Sequence, residues 1–177
     1  MNMRRVFYAI SMATMTLLAT GCEAINEELP SYEETSIVTC QEQAPDFTTT
    51  LLSGESITLS NLRGQVVVLI FFSHTCPDCK ALLDDLKAAN EEMEALGVRI
   101  VAIAREGTKN EIEEYLSTNG YSFDTAIDNN REIYNLYATM YVPRCYLIDK
   151  EGIVVATTVE YQPNHVPTLL SQIETLE

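Results

Sequence analysis

The sequence predicts an α/β fold in which helices flank a central mixed β-sheet, with a β-hairpin at the N-terminal side. Three observations carry this prediction. The almost unbroken apolar run at 65–72 is typical of a central strand that is buried on both faces. Strand-like and helix-like segments then alternate, as they do in parallel βαβ units. Finally, Lys150-Glu151-Gly152 separates two strand-like segments, which adds an antiparallel hairpin to the sheet.

The individual elements follow from local patterns. Residues 46–50 and 56–59 flank Ser53-Gly54-Glu55 and predict the first hairpin. From Cys79 to Leu96 apolar residues recur at helical spacing, which predicts one long amphipathic helix with Gly97 at its C-terminal cap. The remaining predicted elements are a strand at 98–104, a helix from a capping box at Thr108 and Glu111 to Gly120, a strand at 122–127, a helix from Asp128 to about Tyr137, strands at 144–149 and 153–159, and a helix at 166–176.

The first 21 residues have the pattern of a lipoprotein signal peptide. Arg4 and Arg5 form a basic start, and residues 6–18 form an apolar core that is too short for a comfortable membrane span. Ala19-Thr20-Gly21-Cys22 resembles a bacterial lipoprotein processing site, at which Cys22 would be lipidated. An ordinary signal peptide cut nearby is the alternative. Either way we expect the protein in the bacterial cell envelope, facing the periplasm or the surface and, with Cys22 lipidated, anchored by its lipid.

Charge and composition divide the remaining chain into a tether and a domain. Residues 22–37 contain several Glu and no basic residue, which predicts a solvated acidic tether. Residues 38–177 are enough for one domain with its own core. The chain carries 11 Lys+Arg against 26 Asp+Glu, a formal net charge of −15, which argues against nucleic acid as a partner.

Cys76-Pro77-Asp78-Cys79 is the candidate active site. The motif lies between the predicted central strand and the start of the long helix. A helix N-terminus carries partial positive charge and unpaired N–H groups, so a thiolate at Cys76 would be stabilised there and act as a nucleophile. Cys79, one helical turn later, would resolve the mixed disulfide. A zinc site or an inert disulfide is the alternative, but a zinc knuckle needs a second Cys or His pair, which the sequence does not contain.

Several ordered segments resemble the thioredoxin-fold, membrane-anchored thiol–disulfide oxidoreductases of the TlpA/ResA kind. The resemblance covers nearly all of 44–177 and rests on four segments: Ala44-Pro45-Asp46-Phe47, residues 59–67, residues 71–79, and Val142-Pro143 followed by residues 146–149. It implies a thioredoxin-like fold and a cis peptide bond at Val142-Pro143, beside the Cys pair. It also implies that Pro143 belongs to the catalytic set with the two cysteines, and that the backbone of Val142 pairs with a substrate strand.

The sequence departs from that family's pattern at the site. Thr75 stands where the family usually carries Trp, which reduces the apolar docking surface. Leu82 and Ile70 occupy positions where relatives carry acids, so no obvious carboxylate remains to take the proton of Cys79. The nearest candidates in sequence are Asp78 and His74.

Five other side chains have two interpretations each. His74 stabilises the Cys76 thiolate or shuttles its proton, or it is a loop histidine facing solvent. Asp78 opposes the thiolate by like-charge repulsion, or it faces water at the helix start. Arg144 binds an acidic ligand or lies at the surface. Cys40 and Cys145 form a disulfide, or Cys145 is a small buried residue on a strand.

The main functional hypothesis is an enzyme that reduces disulfides of exported cysteine-containing proteins, with no bound metal and no cofactor besides its own redox-active disulfide. The resemblance implies a membrane thiol as electron donor. A copper or soft-metal chaperone that uses the Cys pair and His165 is one alternative. A thiol peroxidase is another, because Ser73 lies three residues before Cys76. A non-catalytic lipoprotein scaffold is the fourth.

Overall fold

The computed structural model describes residues 29–176. The predicted signal peptide, Cys22 and residues 23–28 lie outside this range. None of the described helices is both long enough and apolar enough to cross a membrane. In chain order the elements are β1 (Thr48–Thr50), β2 (Ser56–Thr58), β3 (Val67–Phe72), α1 (Pro77–Ala88), α2 (Asn90–Ala95), β4 (Arg99–Ala104), α3 (Lys109–Asn119), β5 (Asp124–Ile127), α4 (Tyr134–Tyr137), β6 (Arg144–Ile148), β7 (Val154–Val159) and α5 (His165–Ile173).

A five-stranded mixed sheet in the order β5-β4-β3-β6-β7 forms the centre of the fold. Strands β3, β4 and β5 run parallel, while β6 and β7 add antiparallel pairs. All six residues of β3 are buried, because this strand has a partner on each side and is covered on both faces. Strands β1 and β2 form a second, two-stranded antiparallel sheet. These observations confirm the predicted fold class and both hairpins.

Alternate residues of β3 point into two separate layers of the core. Val68, Ile70 and Phe72 pack with residues from α1, α2, α3 and α5. Val67, Leu69 and Phe71 pack on the opposite face with residues from the N-terminal hairpin and α4. The second layer is rich in tyrosines, which keep their hydroxyls hydrogen-bonded to backbone carbonyls.

The prediction of one uninterrupted helix from Cys79 to Leu96 is wrong at Ala89. The chain leaves the helical path at Ala89, where φ is −93° and ψ is 0°, and it resumes as α2. The amide of Ala89 still donates to the Asp85 carbonyl at 3.1 Å, and the amide of Met93 donates to the Ala89 carbonyl at 3.0 Å, so helical hydrogen bonds continue across the break. Met93, on α2, is completely buried.

Helix α4 is shorter than predicted. It starts at Tyr134 and not directly after Asp128. The carboxylate of Asp128 nevertheless accepts the amide N–H of Tyr134 at 2.7 Å and that of Ile133 at 3.3 Å. Asp128 therefore caps this helix across an intervening turn.

Residues Pro30–Ser36, which we call the N-terminal strap, lie against the domain. Thr35 is buried, its carbonyl accepts the amide of Thr139, and Ser36 pairs with Ala138 in an isolated bridge. This arrangement differs from the solvated tether predicted for 22–37, since the second half of that segment is part of the folded unit. The first half lies outside the described residues.

Candidate active site

The Cys-x-x-Cys motif occupies the N-terminus of α1, directly after the central strand. Cys76 is the N-cap residue, with extended backbone angles, and its Sγ accepts the amide N–H of Cys79 at 3.5 Å. Pro77 fills the first helical position, where its missing N–H costs nothing. Cys76 is half-buried, whereas Cys79 is completely buried. The two thiols therefore have different access to a substrate.

Burial raises the pKa of the Cys79 thiol far above its ordinary value. The neighbouring Cys76 raises it further, while the backbone N–H of Ser73, which donates to Cys79 Sγ at 3.4 Å, and the charge of Arg105 act in the opposite direction. Burial thus favours the protonated thiol of Cys79 over its thiolate. The Ser73 amide is positioned to stabilise the thiolate when Cys79 does lose its proton.

The loop before β6 contacts the nucleophile. The Val142-Pro143 peptide bond is cis, as the resemblance implied. The Val142 carbonyl oxygen lies 3.8 Å from Cys76 Sγ, within the range of a weak sulfur hydrogen bond. Val142 and Pro143 are therefore beside the Cys pair, as expected.

Glu106 is a site residue that the sequence did not reveal. Its carboxylate accepts the Ser73 hydroxyl at 2.6 Å and lies 3.4 Å from the Thr75 hydroxyl. The Ser73 hydrogen bond lowers the pKa of Glu106, although partial burial opposes the shift. The carboxylate thus fixes the short segment that connects β3 to Cys76.

A usable signal for Glu106 was present. Ser73 follows β3 directly, and Arg105-Glu106 follows β4 directly. Since β3 and β4 are parallel neighbours, their carboxyl ends meet at the same edge of the sheet, which is where such folds place functional side chains. The residues directly after β4 were therefore candidates for an acidic side chain at the site, as were the residues of the motif itself.

Asp78 and His74 do not contact the cysteines through hydrogen bonds among residues 29–176. Asp78 is exposed in the first turn of α1, where its charge complements the helix dipole. His74 is half-buried, with its ring edge-on to that of Tyr115 at a centroid distance of 6.1 Å. His74 is also one of the neighbours that lower the pKa of Glu106. Neither side chain is placed to take the proton of Cys79 directly.

Arg144 is neither at the surface nor open to an acidic ligand, so both predicted interpretations are wrong. Only 1% of it is exposed. Its guanidinium donates to the Met140 carbonyl at 2.8 Å, to Ser36 Oγ at 2.8 Å and to Thr35 Oγ1 at 2.7 Å. The side chain therefore joins the strap to the loop that precedes Pro143.

The remaining cysteines are not paired with each other. Cys145 is buried on β6 opposite Ile70, and burial raises the pKa of its thiol to about 12. Cys40 is exposed. The structure thus shows Cys145 as a small buried residue on a strand, the second interpretation of the sequence.

The two alternative chemistries have weaker support in the geometry. The Ser73 hydroxyl, on which the peroxidase hypothesis depends, donates to Glu106. His165 begins α5, and burial lowers its pKa. Within residues 29–176, no group of three or more Cys, His, Asp and Glu side chains is arranged to hold a metal ion.

Known proteins resemble this chain in sequence and in fold. Residues 40–157 match the AhpC/TSA family. The thiol–disulfide oxidoreductase ResA of Bacillus thuringiensis is 30% identical over 121 residues, which are 68% of this chain and 70% of that protein. ResA of Bacillus subtilis is 27% identical over 152 residues, or 86% of this chain and 83% of that protein. The solved structure of a candidate protein disulfide isomerase from Bacteroides thetaiotaomicron is 29% identical, covers 80% of this chain and 92% of its own, and superposes with a TM-score of 0.75.

The matched range contains strands β3 to β6, the part of β7 up to Thr157, the Cys pair and the loop with Pro143. Sequence similarity and geometry therefore agree on the same part of the molecule. The chain belongs to the AhpC/TSA family and is a thiol–disulfide oxidoreductase built on the thioredoxin fold.

Proposed function

We propose that the protein reduces disulfide bonds of exported cysteine-containing proteins in the bacterial cell envelope. The observation that carries the proposal is the contrast between its two thiols. Cys76 is accessible at a helix N-terminus, and Cys79 is enclosed 3.5 Å away, measured from its amide nitrogen to Cys76 Sγ. This contrast supports a mechanism in which Cys76 attacks the substrate and Cys79 releases it.

The reaction transfers two electrons from the Cys pair to the substrate. The Cys76 thiolate attacks one sulfur of the substrate disulfide, so that a mixed disulfide forms while the other substrate sulfur leaves and takes up a proton. Cys79 then gives up its proton, and its thiolate attacks Cys76 Sγ. The Cys76–Cys79 disulfide forms, and the second substrate thiol is released. Since burial disfavours the Cys79 thiolate, we expect this second step to be the more pH-dependent one.

The loop beside Cys76 provides a place for the substrate backbone. A substrate strand that pairs with Val142 would lie across the half-exposed Cys76 thiol, since the Val142 carbonyl is already 3.8 Å from that sulfur. This mode fixes the peptide through its main chain. The side chains around the substrate cysteine can then vary.

Regeneration requires a reductant. In our proposal a membrane thiol protein reduces the Cys76–Cys79 disulfide, and no cofactor or metal beyond this disulfide takes part. Lipid on Cys22 would keep the enzyme at the membrane that contains this donor. The acidic tether and the signal-peptide pattern support an extracytoplasmic location.

The proposal is tested by redox titration of the full-length protein in a mild detergent. Samples are poised in thiol/disulfide buffers and alkylated, and the labelled cysteines are counted by mass. We expect Cys76 and Cys79 to titrate together as one two-electron couple, with a potential near the value of about −270 mV that is typical of thioredoxin. A potential near about −120 mV would identify an oxidant and refute the proposed direction.

Two variants accompany the titration. Cys76→Ser should abolish the couple and the reduction of insulin disulfides. Cys40→Ser is the matched control, since Cys40 is an exposed cysteine of the same domain outside the Cys-x-x-Cys motif, and it should change neither the couple nor the reduction of insulin. Stoichiometric binding of copper(I), lost in His165→Ala, would favour the metal chaperone instead, and peroxide-dependent sulfenic acid at Cys76 would favour the peroxidase.

A further inference from the structure

The N-terminal strap is fastened to the loop that contains Val142-Pro143. The Tyr141 hydroxyl donates to the carbonyl oxygen of Pro30 at 2.6 Å. Arg144 donates to the hydroxyls of Thr35 and Ser36 from the other side of the loop. Two residues that flank Val142-Pro143 thus hold both ends of the strap. The strap is therefore a fixed neighbour of the Cys pair.

Tyr32, near the middle of the strap, is held and yet accessible. Its ring meets the ring of Tyr141 edge-on at a centroid distance of 5.1 Å, and its hydroxyl donates to the carboxylate of Glu160. In spite of these two contacts, 45% of the side chain is exposed. An aromatic ring that is already fixed loses little conformational entropy when it contacts a partner, which is why tyrosine is effective at binding surfaces.

The position of Tyr32 relates it to the exchange reaction. Its ring contacts Tyr141, the next residue is Val142, and the Val142 carbonyl lies against Cys76 Sγ. The hydrogen bond to Glu160 raises the pKa of Tyr32, and the charge of Asp78 within the motif adds to this effect. Tyr32 is therefore connected to the motif through the loop residues Tyr141 and Val142. A peptide bound at Val142 would pass beside this ring.

The motif itself contains no aromatic side chain, and its exposed apolar residue is Pro77. Thr75, the residue before Cys76, is polar, and its hydroxyl is engaged with Ser73 and with Glu106. Apolar surface beside the site also comes from the strap and from Met140, which is 38% exposed. A side chain next to the substrate cysteine therefore finds its aromatic neighbour in Tyr32.

The charge around Tyr32 is negative. Glu160 accepts the hydrogen bond of its hydroxyl, and Glu33 and Glu34 follow it in the strap. The charge of Asp78 also acts on Tyr32. The nearest lysine of the motif helix, Lys80, is paired with Asp84 at 2.7 Å. Such a surface attracts cationic peptides and repels anionic ones.

We propose that the strap is part of the substrate-binding surface, and that Tyr32 contacts an apolar side chain next to the cysteine of a basic substrate peptide. The inference rests on the proposed function, since it names the class of substrate that the same Cys pair reduces. It makes Tyr32 a specificity residue that acts on binding and leaves the thiol chemistry unchanged.

The test is a single-turnover measurement with the pre-reduced, full-length protein in mild detergent. Two disulfide-linked synthetic peptide dimers are compared, each with phenylalanine beside its one cysteine, flanked by lysines in one dimer and by aspartates in the other. Bis(2-hydroxyethyl) disulfide serves as a substrate too small to reach Tyr32. We expect the lysine dimer to react about tenfold faster than the aspartate dimer at low salt, with the difference shrinking as salt is added.

The variants separate ring contact from structural damage. Tyr32→Ala should slow the lysine dimer about five- to tenfold and leave the small disulfide unchanged, whereas Tyr32→Phe, which keeps the ring, should stay within about twofold of the parent. The matched control is Ile37→Ala, which removes a half-exposed side chain immediately after the strap and should change neither rate. The redox potential of the Cys pair should be the same in all four proteins.

Different failures have different meanings. If the parent reduces neither the peptides nor the small disulfide, the proposed function fails. If the parent is active but Tyr32→Ala behaves like Ile37→Ala, the function stands and the inference is refuted. Equal losses on the peptide and on the small disulfide would also refute it, because they would show that the variant disturbs the loop and not a substrate contact.

Discussion

Replacing Glu106 by Ala removes the anion that holds the segment before Cys76. The Ser73 hydroxyl, in a residue that is only 4% exposed, then loses its 2.6 Å partner and keeps the Thr75 hydroxyl at 2.9 Å. A hydrogen bond to a charged group contributes about 1.5–3 kcal/mol to stability. Because Glu106 is partly exposed and one partner of Ser73 remains, we expect the lower end, about 1.5 kcal/mol less free energy of unfolding at pH 7.

The pH dependence of that loss is a stricter test than its size. The Ser73 hydrogen bond lowers the pKa of Glu106 in the folded protein. A group with a depressed folded pKa contributes stability above its unfolded pKa, about 4.3 for Glu, and loses that contribution as the pH falls through the folded pKa. The difference between the parent and Glu106→Ala should therefore be largest near neutral pH and shrink below about pH 4.

Urea denaturation followed by circular dichroism at pH 7 and at pH 3 measures both quantities. The matched control is Glu113→Ala, which removes an exposed carboxylate whose only described ion pair is the 3.5 Å contact with Lys109. We expect this control to change stability by less than about 0.5 kcal/mol. The reasoning is refuted if Glu106→Ala costs no more than the control at pH 7, or if its cost is the same at pH 3.

Two further expectations follow from burial. In a Cys76→Ser variant, the Cys79 thiol should react with iodoacetamide at least about tenfold more slowly than exposed Cys40 at pH 8 and accelerate as the pH rises, because burial raises its pKa; equal labelling rates would contradict this. Leu86→Ala should lower the free energy of unfolding by about 2–5 kcal/mol, since Leu86 is completely buried, whereas Leu136→Ala, at a side chain that is 40% exposed, should cost less than about 1 kcal/mol in the same urea titration.

The sheet could be predicted because its strands leave strong local patterns. The run at 65–72 has no polar residue after Gln65, and only a strand covered on both faces tolerates such a run in a small domain. The capping box of α3 is equally local: the Thr108 hydroxyl accepts the amide of Glu111, and the Glu111 carboxylate accepts the amide of Thr108. The element order and topology followed from such signals.

The break between α1 and α2 left no such pattern. Ala89 is a strong helix former, and the apolar spacing continues through it to Met93. The conformation at Ala89, with φ at −93° and ψ at 0°, is therefore not indicated by the local sequence. Helix propensity is only a weak guide to the conformation of a single residue.

At the site, the sequence identified residues within the motif better than residues that the fold brings to it. The spacing of Cys76 and Cys79 indicates a Cys-x-x-Cys motif, and the resemblance to the TlpA/ResA kind predicted the loop at Val142. Glu106 is about 30 residues from the motif in sequence and reaches it only because β3 and β4 are parallel neighbours. The environment of Arg144 was predicted wrongly for the same reason, since the hydroxyls that accept its hydrogen bonds belong to the strap.

If Cys22 carries lipid, the docked strap would shorten the chain segment that connects the membrane to the active site. A chain that were free from Cys22 to residue 37 could extend up to about 50 Å, whereas the stretch between Cys22 and Pro30 spans at most about 28 Å. With lipid on Cys22, the Cys pair would then work within a shallow layer next to the bilayer. Partners whose disulfides or dithiols lie in that layer would react first. Larger assemblies would have to present their cysteines close to the membrane.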